Sequence, residues 1–173
     1  MKYASFPLRA LAFAIDYVLI LGYLVVLIVA GVAASRSSPT LARDLFANPA
    51  SAQLTGFLAV TLPVSLYFAL LESSRWQASL GKRRLGLRVA RAGGARLSRA
   101  RALGRTLLKF VPWELAHTCI WQTRFAPQAA SPLILAGFIV VWLLVLANVL
   151  SLAVSKTRQT LYDRLIGSYV TAV

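Results

Sequence analysis

Acidic residues are scarce in this 173-residue chain: Asp16, Asp44, Glu72, Glu114 and Asp163 are all there are, against nineteen Lys and Arg. With one histidine, His117, and one cysteine, Cys119, beside those five acids, metal ligands are few and no intramolecular disulfide can form. Glu114 and His117 have the i,i+3 spacing of a carboxylate-bridged di-metal ligand pair, but that architecture needs two such pairs and further acids. No metal is assigned; the two are read as a polar cluster, and Cys119 as a small buried apolar residue. Enzyme motifs are missing too. Gly81-Lys82 lacks the glycine spacing of a phosphate loop, and no serine stands on a nucleophile elbow beside His117 and an acid. Neither an enzymatic activity nor a cofactor is expected.

Charge itself is absent from three long intervals: between Asp16 and Arg36, between Asp44 and Glu72, and between Arg124 and Lys156. Each can hold the ~20 apolar residues of a spanning helix. A hydrophobic fraction of 58% and a mean hydropathy of +0.69 exceed the roughly 45–50% apolar share of soluble domains, so the chain belongs in a bilayer. The net charge of +14 would otherwise suggest nucleic acid. Here the basic residues lie between expected spans, where retention of basic loops inside the cell and attraction to anionic headgroups account for them. No nucleic-acid partner is expected.

What is abundant is concentrated: residues 73–109 hold eleven of the nineteen Lys and Arg and not one acid. That basic loop, and the tail 156–173 with Lys156, Arg158 and Arg164 against Asp163, are placed on the cytoplasmic side, which requires an even number of crossings. The reading is an all-α membrane protein of one domain, 1–173. It is a four-helix transmembrane bundle with spans at about 8–34, 52–71, 103–123 and 132–154, a cytoplasmic loop 73–102, and both termini in the cytoplasm. The first apolar run extends to Ala34, longer than a cleavable signal's ~7–15 residues, and is read as uncleaved. Pro63 predicts a kink in the second span, with Thr61 and Ser65 re-satisfying the freed carbonyl. The third span is atypical, because only fourteen residues separate Lys109 from Arg124.

Within the loop, Leu85, Leu87 and Val89 alternate with Gly86, Arg88 and Ala90, and Gly93-Gly94 offers a turn before Arg96 and Leu97, so a small cytoplasmic β-hairpin is expected. Ser98 is a helix N-cap. Beyond it Arg101, Arg105 and Lys109 share one side of an amphipathic interfacial helix, read as a stripe binding anionic lipid headgroups. In the first span Arg9 and Asp16 are about 20° apart around an ideal helix and about 10 Å apart along it. Asp16 then lies within the hydrocarbon, where an ionised carboxylate costs at least ~2.5 kcal/mol. An interhelical packing bond and an ion or proton site both remain open for it.

Arg9, Asp16, "SLGKRRLGLRV" from Ser79 to Val89, "LSRARALGRTLLK" from Leu97 to Lys109 and "RQTLYDRLIGSYV" from Arg158 to Val170 together resemble the RDD family of small bacterial membrane proteins. That family is named for one arginine and two aspartates. The resemblance covers nearly the whole chain; its departures are a tip "ARAGGAR" without an acid and "GSYV" where a Gly-Thr-Val-Val-like ending is usual. It implies that Arg9, Asp16 and Asp163 are the named triad, with Asp163 docked under the bundle, and that the address is the bacterial inner membrane. Sodium or proton antiport, attributed to some members, implies cation or proton movement with Asp16 as carrier, Arg9 as its charge modulator and Asp163 as inner gate. Four helices enclose little polar volume, so such transport would need a homo-oligomer. The alternative is a non-transporting adaptor or scaffold that holds anionic lipid or a partner protein. Whether Asp16 faces water or a dry contact separates the two.

Overall fold

The computed structural model describes residues 2–126 and 132–172, so the ends of the expected domain at residues 1 and 173 lie outside the described residues. It is an all-α membrane protein with a small sheet at one end. Helix α1 (Phe6–Ser37) begins with Pro7 in its first turn, where a missing N–H costs nothing. At 32 residues it is about 48 Å long, and only Ala12 and Asp16 of it are buried. Val18, Val25, Val26 and Ile28 are exposed, a surface that hydrocarbon covers and water would not tolerate in one contiguous patch.

The short α2 (Pro39–Leu45) turns the chain, and Asn48 opens the next rod with a capping box to Ser51. That rod consists of α3 (Pro49–Gly56), a π-helical turn (Phe57–Thr61) and α4 (Leu62–Ser73). Pro63 cannot donate to the carbonyl of Ala59 four residues earlier. The hydroxyl expected to satisfy that carbonyl was Thr61 or Ser65, and the structure corrects this: Tyr23 Oη on α1 donates to Ala59 O at 2.5 Å. Thr61 is engaged by Glu114, and the buried Ser65 Oγ has no partner among the described residues. A tyrosine on a facing helix reaches farther than a hydroxyl on the same turn.

Helix α6 (Arg99–Phe125), 27 residues capped by Ser98, runs unbroken through Pro112 and packs against both α4 and α7 (Pro132–Val154). Among the described residues α1, the α3–α4 rod and α7 are long and apolar enough to cross a membrane. The expected surface-lying segment before the third span is instead the first turns of this helix, because its Arg105 side is turned into the bundle.

At the basic end α5 (Leu80–Arg84), β1 (Leu87–Ala90), α8 (Leu161–Ile166) and β2 (Tyr169–Ala172) fold together. The hairpin expectation is corrected here. Strand β1 pairs antiparallel with β2 from the far end of the chain, Leu87 opposite Ala172 and Ala90 opposite Tyr169. The Gly93-Gly94 turn does form, with both glycines at positive φ and Arg91 N donating to Ala95 O. Only Ala95, Arg96 and Leu97 then remain before the Ser98 cap, too few for a returning strand. The N-terminal segment lines the other edge of β2: Ala4 N donates to Val170 O and Ala172 N to Lys2 O. Leu87, Val89, Leu97, Val170, Ala4, Ala12, Ala69 and Ala102 form the core beneath. The chain's start, loop and tail are thus one unit at one end of the bundle.

Candidate functional site

Under this small sheet the scarce acids collect. Asp163 is the third residue of α8, where Thr160 caps it: Asp163 N donates to Thr160 Oγ1, and Thr160 N donates to the Asp163 carboxylate. The same carboxylate accepts from Arg9 Nη2 at 2.5 Å, Arg105 Nε at 2.8 Å and Ser168 Oγ at 2.8 Å. Burial alone would raise its pKa; the Arg105 and Arg9 guanidiniums outweigh this and hold it well below the usual carboxylate range. Arg105 continues the chain, donating from Nη1 to Glu72 Oε2 at 2.7 Å, and Lys82 Nζ donates to Glu72 Oε1 at 2.9 Å. Arg9–Asp163–Arg105–Glu72–Lys82 is therefore one buried run of alternating charge that ties α1, α8, α6, α4 and α5 together.

Asp16 belongs to a neighbouring contact. Its carboxylate is fully buried and accepts from Tyr67 Oη (2.7 Å), Ser79 Oγ (2.6 Å) and the backbone N–H of Gly81 (2.7 Å). Gly81 is obligatory: a Cβ there would lie 2.0 Å from Ala12 O. Asp16 thus pins α5 onto α1. The sequence expectation that Arg9 modulates Asp16 is corrected, because Arg9 spends its donors on Asp163 and on Arg158 O (2.6 Å). Of the residues expected at this site, Arg9 and Asp163 are brought together and Asp16 is not joined to them by a direct bond.

The expected lipid stripe is also divided. Arg101 is exposed, whereas Arg105 is 2% exposed and its guanidinium, also 5.1 Å from the Tyr162 ring, is consumed by two carboxylates. Lys109 turns inward as well, its Nζ 3.8 Å from the Phe68 ring centre, 4.7 Å from Phe13 and 5.3 Å from Phe110. Paired acids on facing elements outbid headgroups for Arg105, because a buried carboxylate without a cation is far costlier than an exposed arginine.

Toward the opposite end, Glu114 accepts from Gln53 Nε2 (2.5 Å) and from Thr61 Oγ1. His117 turns away from it to its own helix, with Nδ1 3.0 Å from Trp113 O and its ring 4.6 Å from that of Trp113. Both line a cavity of about 610 Å³, but as separate groups. Cys119 is a buried packing residue, facing Gly137 on α7, where a Cβ would meet its Sγ at 2.5 Å. Sequence reasoning missed Glu72, Lys82, Tyr67 and Ser79. The available signal was Glu72 itself, an acid closing an apolar run immediately before an acid-free basic loop.

The family model described as the RDD family matches residues 3–167, which include Arg9, Asp16 and Asp163. The uncharacterized protein YxaI of Bacillus subtilis (strain 168) is 33% identical over 111 residues, 60% of this chain and 74% of that protein. No solved structure matches.

Proposed function

This chain belongs to the RDD family, and we propose that it is a non-transporting scaffold of the bacterial cytoplasmic membrane whose basic end is a platform for anionic lipid headgroups. In this reading α6 is a third crossing, the four long helices cross in alternation, and both termini are cytoplasmic, as the basic excess requires. The observation that carries it is the state of Asp16: fully buried, with its carboxylate accepting from three donors of the protein itself. A carrier carboxylate must exchange its ligand, and this one is consumed in holding α5. Around the buried charges the same unit turns Arg75, Arg83, Arg84, Arg88, Arg91, Arg96, Arg99 and Arg101 outward. Near an anionic leaflet each such residue contributes about 1 kcal/mol of attraction.

Spin-labelled lipids on the reconstituted protein test this. Phosphatidylglycerol should be enriched over phosphatidylcholine in the motionally restricted shell, salt should weaken the preference, and Gln at Arg83, Arg84, Arg88 and Arg91 together should reduce it. Proteoliposomes should show no cation-coupled proton flux. Equal occupancy by the two lipids, or a flux that Asp16→Asn abolishes in a protein that still folds, overturns the proposal.

A further inference from the structure

Between α1, α6 and α7 lies a cleft of about 490 Å³ whose lining includes Arg9, Lys82, Arg105 and Lys109 and not one acid. Its walls are apolar, among them Phe6, Phe13, Trp113 and Val145. We infer that this cleft seats the phosphate-bearing headgroup of a single anionic phospholipid, with Lys109 as its principal cationic contact and the acyl chain lying along α7. The inference deepens the scaffold reading above, and concerns a site inside the bundle rather than its basic surface.

Charge carries the first step. Arg9, Lys82 and Arg105 share two carboxylates, Glu72 and Asp163, and Lys109 adds a further cation with no carboxylate in ion-pair range among the described residues. The Asp16 carboxylate nearby is bonded only by neutral donors, and counting it as well, four cations against three carboxylates still leave a surplus of one positive charge. An ammonium removed from water at such a place needs a counter-ion, and aromatic faces supply only part of what it loses. The ammonium of Lys109, with three donors to satisfy, lies near the rings of Phe68, Phe13 and Phe110 and is bonded by no oxygen among the described residues. A phosphate monoanion or diester supplies that missing partner.

Shape carries the second step and selects a lipid over a soluble phosphate. Phe6, Phe13, Trp113, Val145 and Val149 line the cleft and are also exposed on the outer surface, so the cleft opens sideways into hydrocarbon. Along α7 it extends from Val141 to Leu152, about 16 Å of helix, a largely apolar track of Val141, Val145, Val149 and Leu152 that one amide, Asn148, interrupts. Lys109 is ten residues into α6, about 15 Å from its basic end, a depth from which a lysine stem reaches a headgroup that dips beneath the interface. Inorganic phosphate would satisfy the cations but leave that track empty.

Native mass spectrometry of the full chain released from nanodiscs of equal phosphatidylglycerol and phosphatidylcholine provides the test. One phosphatidylglycerol per protomer should survive at collision energies that strip the remaining lipids, and excess inorganic phosphate should not displace it. Lys109→Gln should lower its retention about tenfold, and Lys109→Arg should restore it. Val145→Phe, which fills the cleft and leaves every charge in place, should expel the lipid and so guards against a folding defect in the lysine variant. Gln at Arg83, Arg84, Arg88 and Arg91 should reduce the lipid shell and keep the single retained lipid, so the surface reading and this one fail separately. Retention of phosphatidylcholine as often as phosphatidylglycerol, displacement by phosphate, or unchanged retention in both Lys109→Gln and Val145→Phe overturns the inference.

Discussion

The backbone N–H of Gly81 lies 2.7 Å from the carboxylate of Asp16, an approach possible only because residue 81 has no Cβ. Any side chain there would overlap Ala12 O, a backbone atom that no rotamer change can move. An acid within a long apolar helix is thereby turned into the anchor of a basic loop.

Gly81→Ala should therefore destabilise the protein by about 1–3 kcal/mol, the cost of overpacking a close contact. Gly22→Ala in α1, where a Cβ meets nothing within 4 Å, should be neutral or better. Thermal unfolding in detergent, with limited proteolysis across residues 85–98, compares them. Equal stability of the two variants would refute the role of the close approach.

Arg105 should behave as the centre of an ion-pair run and not as a headgroup ligand. Arg105→Met leaves Glu72 and Asp163 short of a cation and should cost about 3–5 kcal/mol, as breaking a buried pair does. Adding Glu72→Gln should recover part of it, with a coupling of about 0.5–3 kcal/mol between the two sites. Additive losses in a double-mutant cycle would place Arg105 outside the network.

Acid should loosen the basic end through Asp163. Its folded pKa lies below the ordinary value of about 3.9, so its contribution is complete above that range and is lost as pH falls toward the folded value. Melting temperature followed from pH 7 downward should decline below about pH 5, and the decline should be shallower in Asp163→Asn. Parallel curves would show that other groups govern acid sensitivity.

Tyr23→Phe removes the donor to the carbonyl that Pro63 leaves open and should cost about 1–3 kcal/mol, the desolvation of an orphaned acceptor. Pro63→Ala returns a backbone N–H and should rescue the Tyr23→Phe variant. Failure of that rescue in thermal unfolding would mean that Tyr23 acts through packing alone.

Much of this was legible in one dimension because long uncharged runs and a basic, acid-free loop are local signals with a single physical cause, the low dielectric of the bilayer. The alternation of Leu87 and Val89 announced a strand with its inward face, since both are buried. Its partner was not legible: strand propensity belongs to a segment, but register belongs to a pair, and β2 is some eighty residues away. Helical spacing likewise placed Arg101, Arg105 and Lys109 on one side of α6 without saying what that side meets. Arg9 and Asp16 shared a face by arithmetic, yet a few degrees of rotation and two neighbouring elements sent one to α8 and the other to α5.

Sequence alone determined the solvent of this protein, its long helices, the end at which its positive charge gathers and the few acids available to balance it, because each follows from transfer energies that residues carry wherever they sit. Tertiary structure decided which cation neutralises which acid, which hydroxyl serves the carbonyl freed by Pro63, and that Asp16 holds a loop in place of facing water. Those outcomes depend on distances of 3 Å between residues as far apart as Arg9 and Asp163, and an ion pair or hydrogen bond contributes only where folding has already brought its two halves within reach.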